Sequence, residues 1–552
     1  MKASDLLVRC LEAEGVTHVF GVPGEENQDV LFSLEKSKIE FVPTRHEQGA
    51  AFIADVYGRL TGEAGVCLST LGPGATNLLT GVADAHFDKA PLVAITGQGD
   101  SDRLHKESHQ AINIVHMFEA VTKWNTSIRN PGIIHEAVRK AFKLAEMEKP
   151  GATHLELPED IAKMEVEKQP LTPTKLRRAA PDHKAIAGAL ALIKAAKRPL
   201  IIAGNGAIRK LASRHLREFV ERTGIPVVHT FMGKGAVDEE HPLSLYTIGL
   251  AARDYVMCYV ELADLVITVG YDIGEYAPEN WNANKDKKVV HIDFTPAEVH
   301  DYYQPDAEVV ADISATLWEL NQQLEKEHIT FDPGVVAPLK RRIVEDHESY
   351  TLKDKDALTV PGTLNVLRDL LAPGDILLSD VGSHKMWIAR NYHAREPDTV
   401  IISNGLASMG IALPGGIAAR IARPEKRVVA AMGDGGFLMN VQEIETAKRL
   451  GLGYVILVFN DNDYGLIRWK QEAKEGHHFG TALTNPDYLK LADSFGIRGY
   501  RPKTVPELKE QLKEAIDSQE LCVVAVDIDP SENMKLSKKL DHNWCDTFDF
   551  KA

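Results

Sequence analysis

The 552-residue chain is predicted to be an α/β protein built from three doubly wound parallel-sheet domains. Three observations carry that expectation. Short apolar, β-branched runs alternate with helical segments along the whole chain, with Gly or Pro at the switches. Two stretches rich in polar residues and Pro interrupt the alternation. The length itself calls for about three or four domains.

The elements follow in order. MKASDLLVRCLEAEGVTHVF reads as an amphipathic helix leading into a strand, and the charges that interrupt its apolar stretches argue against a signal peptide. Strands are predicted at Phe41–Thr44, Gly65–Thr70 and Pro91–Thr96, within a first block covering residues 1–165. The Pro- and charge-rich Val166–His183 reads as a linker. A middle block, 184–330, holds RPLIIAGNG, IPVVHTF, DLVITVG and KKVVHIDF, a Rossmann-like series of strands. GNGAIRK after its first strand is not a full G-x-G-x-x-G with a ribose-binding acid, so a nicotinamide site there is weakly supported. A second linker is expected over Phe331–Asn365, which is polar, has helical-looking pieces and lacks a sustained apolar strand. The last block is placed at 360–535, with a tail at 536–552. The first and last blocks share a coarse βα layout, which points to duplication.

Composition narrows the function classes. The chain is 44% hydrophobic and 26% charged, with a formal net charge of −16. That acidity disfavours non-specific binding to nucleic acid or an anionic membrane, yet leaves room for a basic pocket that recruits a small anion. No run approaches the roughly 18–20 apolar residues of a membrane span. Cys10, Cys67, Cys258, Cys522 and Cys545 are odd in number and never spaced as CxxC, so they are expected to be reduced thiols of a cytoplasmic protein.

The chemistry concentrates in Arg427 to Ile467. RVVAAM is a buried strand, Gly433-Asp434-Gly435-Gly436 a sharp turn, and LMNVQEIETAKRL a helix with Leu438, Val441, Ile444 and Leu450 near one face. Gly451 suits the residue just past its end. YVILVF is the next strand, and Asn460-Asp461-Asn462-Asp463 lies at its carboxyl end. In a βαβ unit both acidic turns emerge on the ligand-binding edge of the sheet. The interval of 27 from Asp434 to Asp461 is about what one helix and one strand need to bring them side by side. Mg²⁺ takes near-octahedral oxygen ligands and shares them with phosphates, and a helix N-terminus favours the same anions. GDG alone is an ordinary turn; GDG with an acidic turn at this interval points to a metal–diphosphate site.

This pairing resembles the thiamine diphosphate-binding motif. FGVPGEEN, RHEQGAAFIADVYGRLTG, STLGPGATNLLTGVADAHFDKAPLVAITG and SNGLASMGIALPGGIAA agree with it, and together they resemble the acetolactate synthase and 2-oxo acid decarboxylase superfamily over essentially the whole length. HKESHQAINIVHMF, VITVGYDIGEYAPENWN and DVGSHKMWIARNY are most similar to the catabolic, FAD-independent acetolactate synthases. The resemblance implies a pyrimidine-binding first domain, a Rossmann-like central domain and a diphosphate-binding last domain, with thiamine diphosphate and Mg²⁺ as cofactors and no FAD.

It also implies residue roles. Glu47 would bond the cofactor's N1′ and act as a proton switch through the ring; the alternative is a solvated helix-start acid. Ala407 would offer its carbonyl to the 4′-amino group, and Met409 would wedge under the cofactor. Asp434 and Asp461 would ligate Mg²⁺ with their side chains and Asp463 with its backbone oxygen. Gly433, Gly435, Gly436, Tyr464 and Gly465 would line the diphosphate. Much of the superfamily has Asn at the position of Asp461, and the Asn-Asp pair here follows the catabolic pattern. Gln110 would face the reaction centre, with Gly24 and His109 on the same wall. Trp469 and Lys470 would follow the metal loop on a mobile helix, where Lys470 departs from the Gln or Trp of the family and either pairs with a substrate carboxylate or faces water.

Decarboxylases of this superfamily carry an adjacent His pair in the first domain and a glutamate just after the metal loop. Here no such pair surrounds Gln110, the second position is Ile467, and only Glu25 matches an acidic relay group. His477-His478 reads as a surface pair. The expected reaction is therefore decarboxylating ligation of two pyruvates to 2-acetolactate and CO₂ through a thiamine-bound enamine. The alternatives are a 2-oxo acid decarboxylase releasing an aldehyde, or a non-catalytic binding protein on the same fold. Because Glu47 and Asp434 come from different subunits in this family, a homodimer or homotetramer with sites at its interfaces is expected.

Overall fold

The computed structural model describes residues 1–174, 178–209, 211–250, 254–540, 544–545 and 548. Among the described residues eighteen strands form three six-stranded parallel sheets. The first holds β1 (His18–Gly21), β2 (Glu40–Pro43), β3 (Gly65–Ser69), β4 (Leu92–Gln98), β5 (Trp124–Ser127) and β6 (Ala152–Pro158), in the order 2-1-3-4-6-5. The second holds β7 (Pro199–Ala203), β8 (Val227–His229), β9 (Ser244–Thr247), β10 (Leu265–Val269), β11 (Lys288–Asp293) and β12 (Ala307–Val310), in the order 12-11-10-7-8-9. That is the Rossmann order, with its switch point between β7 and β10. The third holds β13 (Ile376–Ser379), β14 (Val400–Ile402), β15 (Val428–Gly433), β16 (Val455–Asn460), β17 (Arg498–Tyr500) and β18 (Cys522–Asp527), in the order 14-13-15-16-18-17. Its permutation repeats that of the first sheet, the topological counterpart of the shared layout seen in sequence.

The inner strands are short, buried on both faces and rich in Val, Ile, Leu and Ala, as parallel strands covered by helices must be, whereas the edge strands β2, β5, β12 and β17 are partly exposed. The first and last sheets share one hydrophobic core, in which Phe20, Phe52 and Val82 join Ile411, Ile417 and Ile456. Small residues allow the close approach between them. A Cβ on Gly415 of the last block would lie 3.1 Å from Val56 Cγ2 of the first.

A charged knot lies at the same junction. Arg59, in the last turns of the helix Glu47–Thr61, meets Asp55 at 2.7 Å, Asp84 at 3.0 Å and Asp88 at 2.7 Å, all three fully buried. Burial first, and for Asp84 the neighbouring Asp55 next, pushes these carboxyls upward, Asp84 to about 7. One cation among three buried carboxyls is costly to remove, so Arg59→Met is expected to lose about 3–5 kcal/mol of stability. Carboxyls whose native pKa is raised support the fold below their unfolded values and lose that support as pH rises through the native ones. Denaturant melts should therefore show a larger deficit at pH 8 than at pH 5.

Four sequence expectations are corrected. LMNVQEIETAKRL is not one helix: Asp434–Met439 and Glu443–Arg449 are separate helices, broken at Asn440, and Leu438 is exposed. Asn440 is buried and its amide donates to the Gly410 carbonyl at 2.9 Å, a tertiary bond that a continuous helix would not place. GDGG is not a free turn, because Asp434 already opens the first of those helices. The helical-looking pieces of the second linker are the helices Ala337–Glu348 and Val360–Leu370, as expected, but the tail boundary before residue 536 falls inside the helix Ser531–Leu540. Finally, the cysteines are not all free thiols: Cys258 and Cys545 form a disulfide with Cα atoms 4.9 Å apart, whereas Cys10, Cys67 and Cys522 are buried and free. Among the described residues no helix is long and apolar enough to cross a membrane.

Candidate active site

The acidic half of the site grows from two neighbouring strands. β15 and β16 run parallel with Gly433 opposite Phe459, so Asp434 and Asp461 leave the sheet side by side. Asp434 Oδ1 accepts the Gly435 N–H at 2.9 Å, and its Oδ2 accepts the Asn462 N–H at 2.7 Å and Asn485 Nδ2 at 2.6 Å. Asp461 accepts the Asp463 N–H at 3.3 Å. Arg468 Nη1 lies 3.3 Å from Asp463 Oδ2. Burial raises the Asp434 carboxyl above its ordinary value, against the bond from Asn485. Burial, and then the Asp434 charge beside it, raises Asp461 to about 7. Two oxygen-donor groups that strain against each other's charge fit a hard divalent cation.

A cavity of about 110 Å³ opens onto this pair, walled by Gly433 to Gly436, His384, Met409, Tyr464, Gly465 and Ile467. The glycines are set by contact. A Cβ on Gly435 would lie 2.9 Å from the Tyr464 ring and 3.5 Å from Met409 Cε, and one on Gly436 would lie 2.7 Å from Asp380 Oδ1. The donor set and the glycine cradle thus fit a metal-bound diphosphate. Among the described residues no group of three or more His, Cys, Asp or Glu side chains stands at metal-binding spacing.

The other half lies at the edge of the first sheet. His46 caps the helix Glu47–Thr61, its Nδ1 accepting the Gln48 N–H at 3.1 Å. Glu47, buried at the helix start, accepts Asn77 Nδ2 at 3.0 Å. The helix start is docked on the last block, where Glu443 accepts the N–H groups of Arg45 and His46 at 3.1 and 3.0 Å. Gly72, at φ +52°, approaches Gln110, whose carbonyl would lie 2.7 Å from an added Cβ. Gln110 itself holds φ +57° and is exposed, as are His109 and Glu25. Gly24 packs on Thr70, whose hydroxyl donates to Glu26 rather than Glu25, at 2.7 Å.

The structure brings Asp434, Asp461, Met409, Tyr464, Gly465 and Ile467 to one cavity, and Glu47, Gly24, Gly72 and Gln110 to another edge. Glu47 is not among the walls of the first cavity. Lys470 is exposed on the helix Gly465–Glu475, which Trp469 ties to Ser537 through its indole N–H. His478 pairs with Glu472 at 2.9 Å on the same exposed segment. Sequence reasoning assigned no role to Asn485, which bridges Asp434, Asn460 and Asn462, or to His384, buried with Nε2 unpartnered. His384 stood inside the DVGSHKMW stretch; Asn485 had no local signal.

Comparison with known proteins agrees with this geometry. The thiamine pyrophosphate enzyme N-terminal TPP binding domain matches residues 1–117, the central domain 186–320, and the C-terminal TPP binding domain 380–526. The chain is 33% identical to an acetolactate synthase of Bacillus subtilis over 562 residues, covering 100% of this chain and 97% of that one. It is 35% identical to a catabolic acetolactate synthase of Raoultella terrigena over 548 residues, 97% of each. A probable acetolactate synthase large subunit of Methanocaldococcus jannaschii is 35% identical over 566 residues, 97% of this chain and 93% of that one. With such similarity running end to end, and with paired carboxylates where the C-terminal TPP binding domain lies, the chain belongs to the acetolactate synthase family of thiamine pyrophosphate enzymes.

Proposed function

We propose that the chain joins two pyruvates into 2-acetolactate with loss of CO₂, using thiamine diphosphate and Mg²⁺ at sites formed between two copies in a homodimer or homotetramer of the cytoplasm. The observation that carries the reading is the Asp434–Asp461 pair at the mouth of a glycine-lined cavity, in a chain similar to acetolactate synthases along its whole length. Residues 1–165 would grip the pyrimidine end, 360–535 the diphosphate end, and 184–330 would separate them.

Thiamine diphosphate, when bound, supplies the carbon nucleophile and the electron sink for decarboxylation. The protein's part is positional and electrostatic. Asp434, Asp461 and the Asp463 carbonyl would hold Mg²⁺, with the Gly435 and Gly436 backbone against the phosphates. The Ala407 carbonyl and the Met409 side chain would fix the pyrimidine ring, and Glu47 would share a proton with its N1′. Gly24, Glu25, His109, Gln110 and Lys470 would form the substrate side.

Ile467 favours ligation over aldehyde release. It is apolar and lines the cavity where a protonating side chain would divert the reaction. The second reading, a simple decarboxylase, is not favoured by the similarity to acetolactate synthases. In the central sheet, the Glu275 carboxylate accepts the Asn205 N–H at 3.0 Å and the Thr230 hydroxyl at the switch point. Burial raises that carboxyl to about 7; the reading of an enzyme without FAD is supported by the chain's similarity to a catabolic acetolactate synthase.

Product analysis tests the proposal. Given pyruvate alone, and pyruvate with 2-oxobutyrate, the enzyme should release acetolactate-type products and CO₂. Acetaldehyde without acetolactate would overturn the ligase assignment.

A further inference from the structure

Ala407 has an unusual backbone. Its φ is +58°, the left-handed region where a side chain is strained, and such residues persist only where their surroundings over-determine them. Here the surroundings are three buried carboxylates, Asp84, Asp88 and Asp380, that grip the chain on either side. Asp84, in the helix Pro73–Phe87, accepts the Ser403 hydroxyl at 2.7 Å and the Ser408 N–H at 3.3 Å, and the Ser403 oxygen accepts the same N–H at 3.1 Å. Asp88 takes the N–H groups of Asn404 and Gly405, and Lys385 Nζ donates to the Ser403 carbonyl at 2.8 Å. Beyond Met409, Asp380 accepts the Gly410 N–H at 2.9 Å and the Ala412 N–H at 3.2 Å. Ala407 and Met409 therefore sit between backbone groups fixed at 405, 408 and 410.

The first of these grips comes from the other end of the chain. Asp84 and Asp88 belong to the first block and are held in turn by Arg59, whose Nη1 also donates to the Ile402 carbonyl at 3.2 Å. Gly405 fits the grip because of its size: an added Cβ would lie 2.7 Å from Asp88 Oδ1 and 2.8 Å from the Phe87 carbonyl. Neither Asp84 nor Asp88 lines the Asp434 cavity.

We propose that Asp84, acting through Ser403 and Ser408, is a positioning residue for the reaction: it holds Ala407 in its strained conformation so that the 407 carbonyl and the Met409 side chain meet the cofactor's pyrimidine ring. This rests on the role given above to Ala407 and Met409. It makes the geometry of the ring depend on a contact between the first and last blocks of one chain. The diphosphate end, held by Asp434 and Asp461, is independent of that contact. Loss of the grip should therefore reduce turnover without loosening the cofactor.

The experiment is steady-state kinetics of the holoenzyme for Ser403→Ala and Asp84→Asn, each alone and combined with Ala407→Gly. Ser403→Ala removes the hydroxyl between Asp84 and Ser408 without altering buried charge, so it remains informative if Asp84→Asn does not fold. Each is expected to lower kcat by about tenfold, with half-saturating thiamine diphosphate and Mg²⁺ changed less than about twofold. The deficit should shrink by at least half when residue 407 is glycine, which adopts positive φ without strain. An unchanged kcat, an equal deficit in both backgrounds, or a parallel loss of cofactor affinity would overturn the proposal. Glu47→Gln run alongside separates the two levels. If it loses turnover while Ser403→Ala keeps it, the grip alone is wrong; if Glu47→Gln itself keeps turnover, the site assignment beneath it is wrong as well.

Discussion

Replacing Glu47 by Gln is expected to lower kcat by about 10²–10⁴-fold while leaving cofactor retention nearly intact. The carboxylate stands at the start of a helix, buried, with the Asn77 amide 3.0 Å from Oε2. An amide of the same shape keeps that packing and can still meet a ring nitrogen. It cannot share a proton with that nitrogen, and proton exchange is the only contribution the account assigns to Glu47. In the proposed site most of the binding energy would come from the diphosphate and its metal at the other sheet, so half-saturating thiamine diphosphate should move only slightly. Titration of the apoprotein with cofactor, read beside turnover, separates the two effects. Loss of binding in step with turnover would reduce Glu47 to a structural acid.

Asp434→Asn should act at the opposite end. With one of two metal carboxylates neutralised, half-saturating Mg²⁺ is expected to rise by at least about 100-fold, and cofactor retention with it. The pH dependence gives a second readout. In the metal-free protein, burial and then the Asp434 charge hold the Asp461 carboxyl near 7, and the metal needs it ionised. Mg²⁺ affinity of the unsubstituted enzyme should thus climb as pH rises to about 7 and level off above it. In Asp434→Asn the neighbouring charge is gone, Asp461 ionises at lower pH, and the climb should shift in the same direction. Metal titrations at pH 6 and pH 8 check both statements.

The strands and the pairing of Asp434 with Asp461 were legible because they are local. Apolar runs such as YVILVF mark buried parallel strands, and one βα unit sets the distance between two acidic turns. What stayed hidden depends on groups far away in the chain. The break at Asn440 lies inside a plausible amphipathic pattern, and only the Gly410 carbonyl and Gln48, both brought by folding, explain it. Asn485 reaches Asp434 from 51 residues downstream with no local motif to announce it. Cys258 and Cys545 pair across 287 residues, and an odd cysteine count concealed them. The resemblance gave Ala407 a role, but nothing local announces its left-handed backbone, which follows from carboxylates more than 300 residues away.

The most direct test is to combine the two lesions in one assembly. Chains carrying Glu47→Gln and chains carrying Asp434→Asn, each nearly inactive alone, can be co-expressed with different tags and the mixed dimer isolated. Sites built between subunits leave such a dimer with one doubly damaged site and one intact site, so it should recover about half of the unsubstituted turnover. If each site were completed within a single chain, both sites of the mixed dimer would carry a lesion. Activity no higher than that of the single variants would contradict the account.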